Sequence, residues 1–190
     1  MTGQPDTPSP QHEVLLCVTG GIACYKSADL ASKLVADGFG VTVAMSEAAE
    51  RFVAPLTFQT LTRRRVYTSL WQSTEQYEST HISTSDLAEL MIVAPATADT
   101  IAKLATGLAD DIVSTLLLAR PADCPLLLAP AMNTRMWQAP PTQANIEKLK
   151  GWGVHTVGPA EGRLACGDTG PGRMAEPADI LAAAKKLLSG

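Results

Sequence analysis

The chain of 190 residues has little positive charge, no closely spaced cysteines and no long apolar run. Its 15 basic and 19 acidic residues give a net charge of −4 without a basic block, which disfavours binding to a phosphate backbone. No apolar run approaches the roughly 20 residues that span a bilayer. We therefore expect neither a nucleic-acid partner nor a membrane partner.

Cysteine and histidine are scarce and scattered. The four cysteines have no C-x-x-C spacing, and the three histidines lie far apart in the chain. This distribution predicts free thiols in a reducing compartment and no metal site. Residues 1–12 are polar and lack the basic and apolar regions of a signal peptide, so we expect a disordered tail and a cytoplasmic protein.

Apolar residues are abundant, at 46% of the chain, and 28 residues are alanine. Five short apolar runs predict buried strands at 14–19, 41–45, 90–94, 125–129 and 154–157, with the third ending at Pro95. Helical patterns predict helices at 25–36, 47–53, 56–61, 98–106, 110–119, 143–151 and 177–188. Residues 63–79 and 164–174 are predicted loops. The alternation predicts an α/β protein in which residues 13–190 form one domain with a Rossmann-like, doubly wound parallel sheet.

Ligands of such a fold bind at the carboxyl ends of the strands, so the residues that follow each strand are informative. Residues 20–23 (Gly-Gly-Ile-Ala) open a helix after the first strand, which suits either an anion or an ordinary tight turn. Ser46, Thr97 and Thr100 begin later helices, where they bind a phosphate or cap the helix. Their convergence at one edge favours a cofactor that carries a phosphate, although the G-x-G-x-x-G fingerprint of dinucleotide sites is absent.

Two further segments carry distinctive side chains. Residues 130–137 combine thioethers and an indole, which suit a flat ring, with the amide of Asn133, which can bind a carboxylate or a ring edge. The alternative is a core cap with a hydrophobic staple. The glycine-rich residues 164–174 predict a flap in which Cys166 is a proton donor, a nucleophile or an inert surface thiol. His81 suits acid–base chemistry, but a lone histidine is often structural.

Together these segments resemble the flavin-dependent cysteine decarboxylase family from about residue 13 to the C-terminus. The matching stretches are 19–23, 52–61, His81, 94–104, 107–111, 130–137 and 164–174. The most specific are Pro-Ala-Met-Asn-x-x-Met-Trp at 130–137 and Ala-Cys-Gly-Asp at 165–168. The resemblance implies a homotrimer or an assembly of trimers, with FMN at the interface between subunits.

The resemblance also assigns residues to the site. It implies an FMN site made of Gly20, Gly21, Ile22, Ala23, Ser46, Phe58, Pro95, Ala96, Thr97, Ala98, Asp99, Thr100, Ala131 and Met132. It implies catalytic roles for His81, Asn133 and Cys166, and substrate contacts for Asn133, Ala165, Cys166 and Met174.

The implied reaction is the conversion of 4′-phosphopantothenoylcysteine to 4′-phosphopantetheine in coenzyme A biosynthesis. Oxidation of the thiol carbon creates an electron sink, CO2 leaves, and the resulting enethiol is reduced. His81 is expected to assist the oxidation, Asn133 to hold the carboxylate, and Cys166 to supply the final proton.

Several alternatives remain open at this point. The family commonly has asparagine at the position of Asp99, and an added negative charge beside FMN is costly unless it is paired or turned outward. Many bacterial relatives continue into a synthetase domain, so this chain is either a stand-alone enzyme or part of a longer one. Other candidate functions are a peptidyl-cysteine decarboxylase, a flavin prenyltransferase and a non-catalytic regulatory FMN-binding protein.

Overall fold

A computed structural model describes residues 10–71, 85–163, 167 and 169–189. The described part contains a six-stranded sheet in the order β3-β2-β1-β4-β5-β6. Its strands are β1 (Glu13–Val18), β2 (Gly40–Met45), β3 (Val66–Tyr67), β4 (Leu90–Ala96), β5 (Leu126–Pro130) and β6 (His155–Thr156). The helices are α1 (Cys24–Ala36), α2 (Glu47–Glu50), α3 (Pro55–Thr62), α4 (Ala98–Thr106), α5 (Ile112–Leu118), α6 (Thr134–Gln138), α7 (Pro140–Gly151) and α8 (Pro177–Leu188).

The sheet is parallel throughout, and β1 lies at its centre. Val14 of β1 pairs with Val41 of β2 on one side and with Leu90 of β4 on the other. The chain therefore forms β1, β2 and β3 in one half of the sheet, returns to the centre, and forms β4, β5 and β6 in the other half. This confirms the predicted doubly wound α/β fold, and the reversal between β1 and β4 is where such folds bind ligands.

Helices cover both faces of the sheet, so each central strand buries side chains in two directions. Along β1, Leu16 and Val18 belong to the apolar cluster that also contains Leu30 of α1 and Ile180 of α8. The alternate residue Leu15 belongs to the cluster on the opposite face, which α4, α5 and α7 cover. Burial on both faces explains why the strands are continuous apolar runs in the sequence.

The predicted end of β4 at Pro95 is wrong, because the strand continues to Ala96. Proline lacks the N–H that a regular ladder requires. The register between β4 and β5 is irregular between Val93 and Ala96, so Pro95 does not have to donate there. The pairing resumes beyond it, where the Ala131 amide donates to the Ala96 carbonyl at 3.0 Å.

Both predicted loops contain strands. The edge strand β3 lies within residues 63–79, of which residues 72–79 are outside the described part. The second predicted loop, 164–174, overlaps β8 (Thr169–Arg173), which pairs antiparallel with β7 (Ala160–Arg163) in a hairpin separate from the main sheet. These strands were missed because they are short, glycine-rich or polar, and therefore lack a period-2 apolar pattern.

Three cysteines are buried as free thiols: Cys17, Cys24 and Cys124. Burial raises the pKa of each thiol. Within the described ranges, no helix is long and apolar enough to cross a membrane, and no group of His, Cys, Asp and Glu side chains could hold a metal ion. Most of the predicted tail, residues 1–9, lies outside the described part.

Candidate functional site

A cavity of about 1250 Å³ lies at the carboxyl edge of the sheet. Thirteen of the residues assigned by resemblance line it: Gly20, Gly21, Ile22, Ala23, Ser46, Thr97, Ala98, Asp99, Thr100, Ala131, Met132, Asn133 and Met174. The fold thus brings residues from four separate turns and from the end of β8 to one place.

The remaining assigned residues lie elsewhere or outside the described part. Phe58 is fully buried in the core, and neither it nor Pro95 nor Ala96 lines the cavity. These three side chains therefore do not reach the cavity. His81, Ala165 and Cys166 fall outside the described residues.

The turn at residues 20–23 leaves the start of α1 free to bind an anion. No side chain caps the 13-residue helix at its N-cap, Ala23. Two of its first amides bond to the turn, Cys24 to the Gly21 carbonyl at 3.0 Å and Lys26 to the Ala23 carbonyl at 2.9 Å. Within the described residues, the amides of Ile22, Ala23 and Tyr25 keep free donors beside the partial positive charge of the helix terminus. Gly20 allows a close approach between the turn and α2, because a Cβ at Gly20 would overlap the side chain of Ala48.

Hydroxyl groups fix the neighbouring turns. Ser46 caps α2 by accepting a hydrogen bond from the Ala49 amide at 3.3 Å. Thr97 caps α4 by accepting from the Thr100 amide, also at 3.3 Å. The Thr19 hydroxyl donates to the Pro95 carbonyl at 2.6 Å and joins the end of β1 to the turn after β4. Capping is therefore an observed role of Ser46 and Thr97. A hydroxyl that accepts such a bond keeps its own hydrogen, which can be donated to a ligand in the cavity when no protein acceptor takes it.

Asn133 has a fixed orientation because it caps α6. Its Oδ1 accepts a hydrogen bond from the Met136 amide at 2.8 Å. Its Nδ2 makes no hydrogen bond within the described residues. The cap thus uses the acceptor of the carboxamide and leaves two N–H donors at the cavity wall.

The β7–β8 hairpin docks onto the segment that carries Asn133. The Met132 amide donates to the Gly172 carbonyl at 2.9 Å. A Cβ at Gly172 would overlap the Met132 carbonyl oxygen, and a Cβ at Gly170 would lie 2.7 Å from Thr134 Oγ1. These glycines permit an approach that larger residues would prevent, so the hairpin forms one wall of the cavity.

Lys103 lies among three carboxylates at the cavity wall and is only 16% exposed. Its Nζ is 2.9 Å from Asp110, 2.9 Å from Asp111 and 3.3 Å from Asp99. Burial disfavours the ammonium, but the bonds to Asp110 and Asp111 outweigh it and raise the pKa of Lys103. Asp99 is 72% exposed and shares the Lys103 ammonium with two other aspartates, so its charge is turned outward and partly compensated.

A second buried lysine connects α1 to the base of the hairpin. Lys26 Nζ donates to the Met174 carbonyl at 3.3 Å and to Glu176 at 2.9 Å. Glu176 also pairs with Arg173 at 2.5 Å. The hydrogen bond from Lys26 lowers the pKa of Glu176. Met174 itself is buried, so its side chain contributes to the wall rather than to an exposed flap.

Sequence reasoning missed several lining residues, chiefly the charged ones: Lys26, Lys103, Asp110, Asp111, Arg163 and Arg173. One local signal was available. Asp99 and Lys103 are four residues apart in a predicted helix, which is the spacing of an ion pair. The other residues come together only through contacts that are distant in the sequence.

The Flavoprotein family model matches residues 2–189. The chain belongs to the Flavoprotein family. The resemblance to flavin-dependent cysteine decarboxylases is confirmed by its named relatives.

Two curated relatives show how far the likeness extends. A Streptococcus mutans protein named "Probable phosphopantothenoylcysteine decarboxylase" is 43% identical over 164 residues, covering 86% of this chain and 92% of the relative. The Bacillus subtilis coenzyme A biosynthesis bifunctional protein CoaBC is 50% identical over 173 residues. That match covers 91% of this chain but only 42% of CoaBC, so this member of the Flavoprotein family spans less than half of the bifunctional relative.

Two solved structures share the fold of the Flavoprotein chain. A cysteine-to-serine mutant of PPC decarboxylase, complexed with pantothenoylaminoethenethiol, superposes with a TM-score of 0.88 at 29% identity, covering 96% of this chain and all of its own. The FMN-binding protein AtHal3 superposes with a TM-score of 0.84 at 30% identity, covering 94% of this chain and 97% of its own.

Proposed function

We propose that this Flavoprotein member is an FMN-dependent decarboxylase that converts 4′-phosphopantothenoylcysteine to 4′-phosphopantetheine in coenzyme A biosynthesis. The observation that carries the proposal is one cavity that combines an uncapped helix N-terminus, the oriented amide of Asn133 and a docked hairpin. The Streptococcus mutans relative, matched over nearly its full length, supports the choice of substrate.

The residues of the cavity suit FMN. The amides of Ile22, Ala23 and Tyr25, which make no hydrogen bond within the described residues, and the Ser46 hydroxyl would hold its phosphate, since both kinds of group donate hydrogen bonds to an anion. Ile22, Ala131 and Met132 would provide apolar contact for the flavin ring. AtHal3, with which this chain shares its fold, is described as an FMN-binding protein. When bound, FMN would accept a hydride from the substrate and return it later.

Asn133 would orient the carboxylate that leaves. The cap fixes the orientation of the carboxamide, so the Nδ2 donors would bind the carboxylate without the side chain first having to rotate. An uncharged donor suits this position because the carboxylate loses its charge as CO2 forms. A cation there would stabilise the reactant more than the transition state.

The two roles assigned by resemblance outside the described residues remain part of the proposal. His81 would assist oxidation of the thiol carbon by proton transfer or electrostatics. Cys166 lies in the sequence between β7 and β8, and this hairpin forms a wall of the cavity. Its thiol would donate the proton that completes reduction of the enethiol.

The oligomeric part of the proposal is a homotrimer or an assembly of trimers. Three large apolar side chains at the cavity are more than half exposed, namely Ile22, Tyr25 and Phe52. Their burial by a neighbouring subunit would close the open side of the site. Light scattering should report a multiple of three subunits, and a stable monomer with FMN bound would contradict this.

Two substitutions test the reaction itself. Cys166→Ser replaces the thiol with a much weaker acid, so the variant should bind FMN, release CO2 and accumulate a product two hydrogens lighter than 4′-phosphopantetheine. Asn133→Asp keeps the cap but places a carboxylate beside that of the substrate, so CO2 release should stop. Mass spectrometry of the reaction mixtures distinguishes the two outcomes.

The visible spectrum provides the control for both variants, because retained flavin should give yellow protein with two absorption bands. Full reduction by Cys166→Ser at the wild-type rate would show that the role assigned to Cys166 is wrong. Wild-type protein that binds no FMN would refute the proposed function as a whole.

A further inference from the structure

Five cationic side chains among the described residues line the cavity: Lys26, Arg51, Lys103, Arg163 and Arg173. Four of them have a carboxylate partner. Lys26 and Arg173 pair with Glu176, Arg51 pairs with Glu47 at 3.5 Å, and Lys103 pairs with its three aspartates. Arg163 makes no ion pair or hydrogen bond within the described chain.

The fold fixes the backbone of Arg163, whose side chain has no ion pair or hydrogen bond within the described residues. It is the last residue of β7 and pairs in register with Thr169 of β8. The hairpin is anchored to the Asn133 segment by the bond from the Met132 amide to Gly172. Among the described residues, the guanidinium of Arg163 is therefore an exposed positive charge without a carboxylate partner, whereas the other cations that line the cavity are paired.

We propose that Arg163 binds the phosphate of the substrate, an inference that rests on the proposed function. The substrate carries two anionic groups, a carboxylate on the reacting cysteine and a phosphate at the far end. The carboxylate disappears as CO2, so an arginine bound to it would favour the reactant over the transition state. The phosphate keeps its charge throughout the reaction.

The chemistry of the guanidinium agrees with this assignment. Its planar fork binds a phosphate through two parallel hydrogen bonds. The amides of Ile22, Ala23 and Tyr25, at the start of α1, already offer a separate site for the cofactor phosphate. The cavity thus contains two anion sites of different construction, a backbone cradle for FMN and one arginine for the substrate. Arg163 would make the enzyme prefer the phosphorylated substrate over pantothenoylcysteine, which lacks the phosphate.

Steady-state kinetics of the flavin-loaded protein with both substrates test the proposal. Arg163→Gln should raise KM for the phosphorylated substrate by about 10- to 100-fold, which is the loss expected for hydrogen bonds to a charged group, and leave kcat within a few-fold. KM for pantothenoylcysteine should not change. Arg163→Lys keeps the charge but loses the planar fork, so its KM for the phosphorylated substrate should lie between those of the wild type and Arg163→Gln.

The matched control is Arg135→Gln, because Arg135 is another exposed arginine without an ion pair in the described chain but does not line the cavity. It should leave both KM values unchanged. Calorimetry provides a readout independent of turnover. Arg163→Gln should weaken the binding of 4′-phosphopantothenate, which has no cysteine to react, by the same factor and leave the binding of pantothenate unaltered.

Two results would overturn the assignment of Arg163: an unchanged KM for the phosphorylated substrate in Arg163→Gln, or an equal rise for both substrates. Failure of the wild type to decarboxylate either substrate would instead overturn the proposed function, and this inference with it. The wild-type reaction therefore distinguishes the two failures.

Discussion

The two walls of the cavity are built in different ways. One wall consists of the turns after parallel strands, whose positions follow from the main sheet and whose helices are capped by residues such as Ser46 and Thr97. The other is a small antiparallel hairpin that shares no strand with that sheet. It is held by the close contact of Gly170 with the Thr134 side chain, by that of Gly172 with the Met132 backbone, and by Lys26. The first wall is therefore part of the folding core, and we expect a displacement of the second to leave the main sheet folded.

The largest effect is expected from Gly172→Ala in the hairpin wall. The new Cβ would overlap the Met132 carbonyl, and the backbone at φ +146° disfavours side chains. We expect decarboxylase activity to fall by about 100-fold, because a displacement near 1 Å is enough for such a loss. FMN absorbance and the melting temperature should change little.

Gly162→Ala is the control for this variant. Gly162 has a similar backbone, with φ +155°, but its Cβ would approach only the flexible side chain of Arg173, at 3.4 Å. The difference in activity between the two variants measures the contact with Met132. Equal losses would show that backbone strain, rather than docking of the hairpin, limits activity.

Gly20→Ala tests the wall formed by the main sheet, and here we expect a loss of stability. Overlap with Ala48 would force the turn and α2 apart, at a cost of about 1–3 kcal/mol. Gly21→Ala changes the adjacent residue, but its Cβ would lie 4.0 Å from the nearest atom, on Thr97. Thermal unfolding without added flavin should show a lower melting temperature for Gly20→Ala than for Gly21→Ala. Equal melting temperatures would contradict the close approach at Gly20.

Lys103→Met should weaken FMN binding by about 10-fold, since it leaves three carboxylates uncompensated near an anionic ligand. Asp99→Asn in the same chain should restore part of the affinity by removing one of these charges. Quenching of FMN fluorescence on binding measures the dissociation constants. The control, Lys150→Met, removes a surface lysine that pairs with Glu147 and should have no effect. If Asp99→Asn restores no affinity, charge is not the cause of the weaker FMN binding in Lys103→Met.

The smallest effect concerns acid stability. Burial raises the pKa of Asp111, but hydrogen bonds from Ser114 and Lys103 outweigh it and hold the pKa below its usual value. The unfolded chain therefore binds this proton more readily. The stabilisation by the charge is present above the unfolded pKa of about 3.9 and is lost as the pH falls through the lower folded pKa.

Asp111→Asn keeps an acceptor for the Ser114 amide but removes the charge. It should cost about 1 kcal/mol at pH 7, and the difference from the wild type should shrink towards pH 2. Urea unfolding across this range measures it. Asp123→Asn, at an exposed carboxylate without an ion pair in the described chain, should not show this trend. A difference for Asp111→Asn that is constant with pH would contradict the assignment.

The wall built on the main sheet was largely predictable. The structure places α4 at Ala98–Thr106 and α8 at Pro177–Leu188, as predicted, because both helices have clear terminal residues and an apolar face. The strands β1, β2, β4 and β5 were predictable because each is a continuous apolar run in the sequence. Once these elements alternate, the parallel fold brings the residues that follow each strand to one edge, so the sequence alone predicted that residues 20–23, Ser46 and Thr97 would meet.

The hairpin wall was decided only by the tertiary structure. Gly170 and Gly172 suggested a loop because local sequence does not show which atoms they approach. Their contacts with the Thr134 side chain and the Met132 backbone span some forty positions in the sequence. The pairing of Lys103 with Asp110 and Asp111 and the unpaired state of Arg163 likewise depend on neighbours set by packing. The pattern of buried residues in a strand or helix repeats along the chain, so the sequence shows it directly. A close backbone approach or a compensated charge depends on distances between residues that exist only after folding.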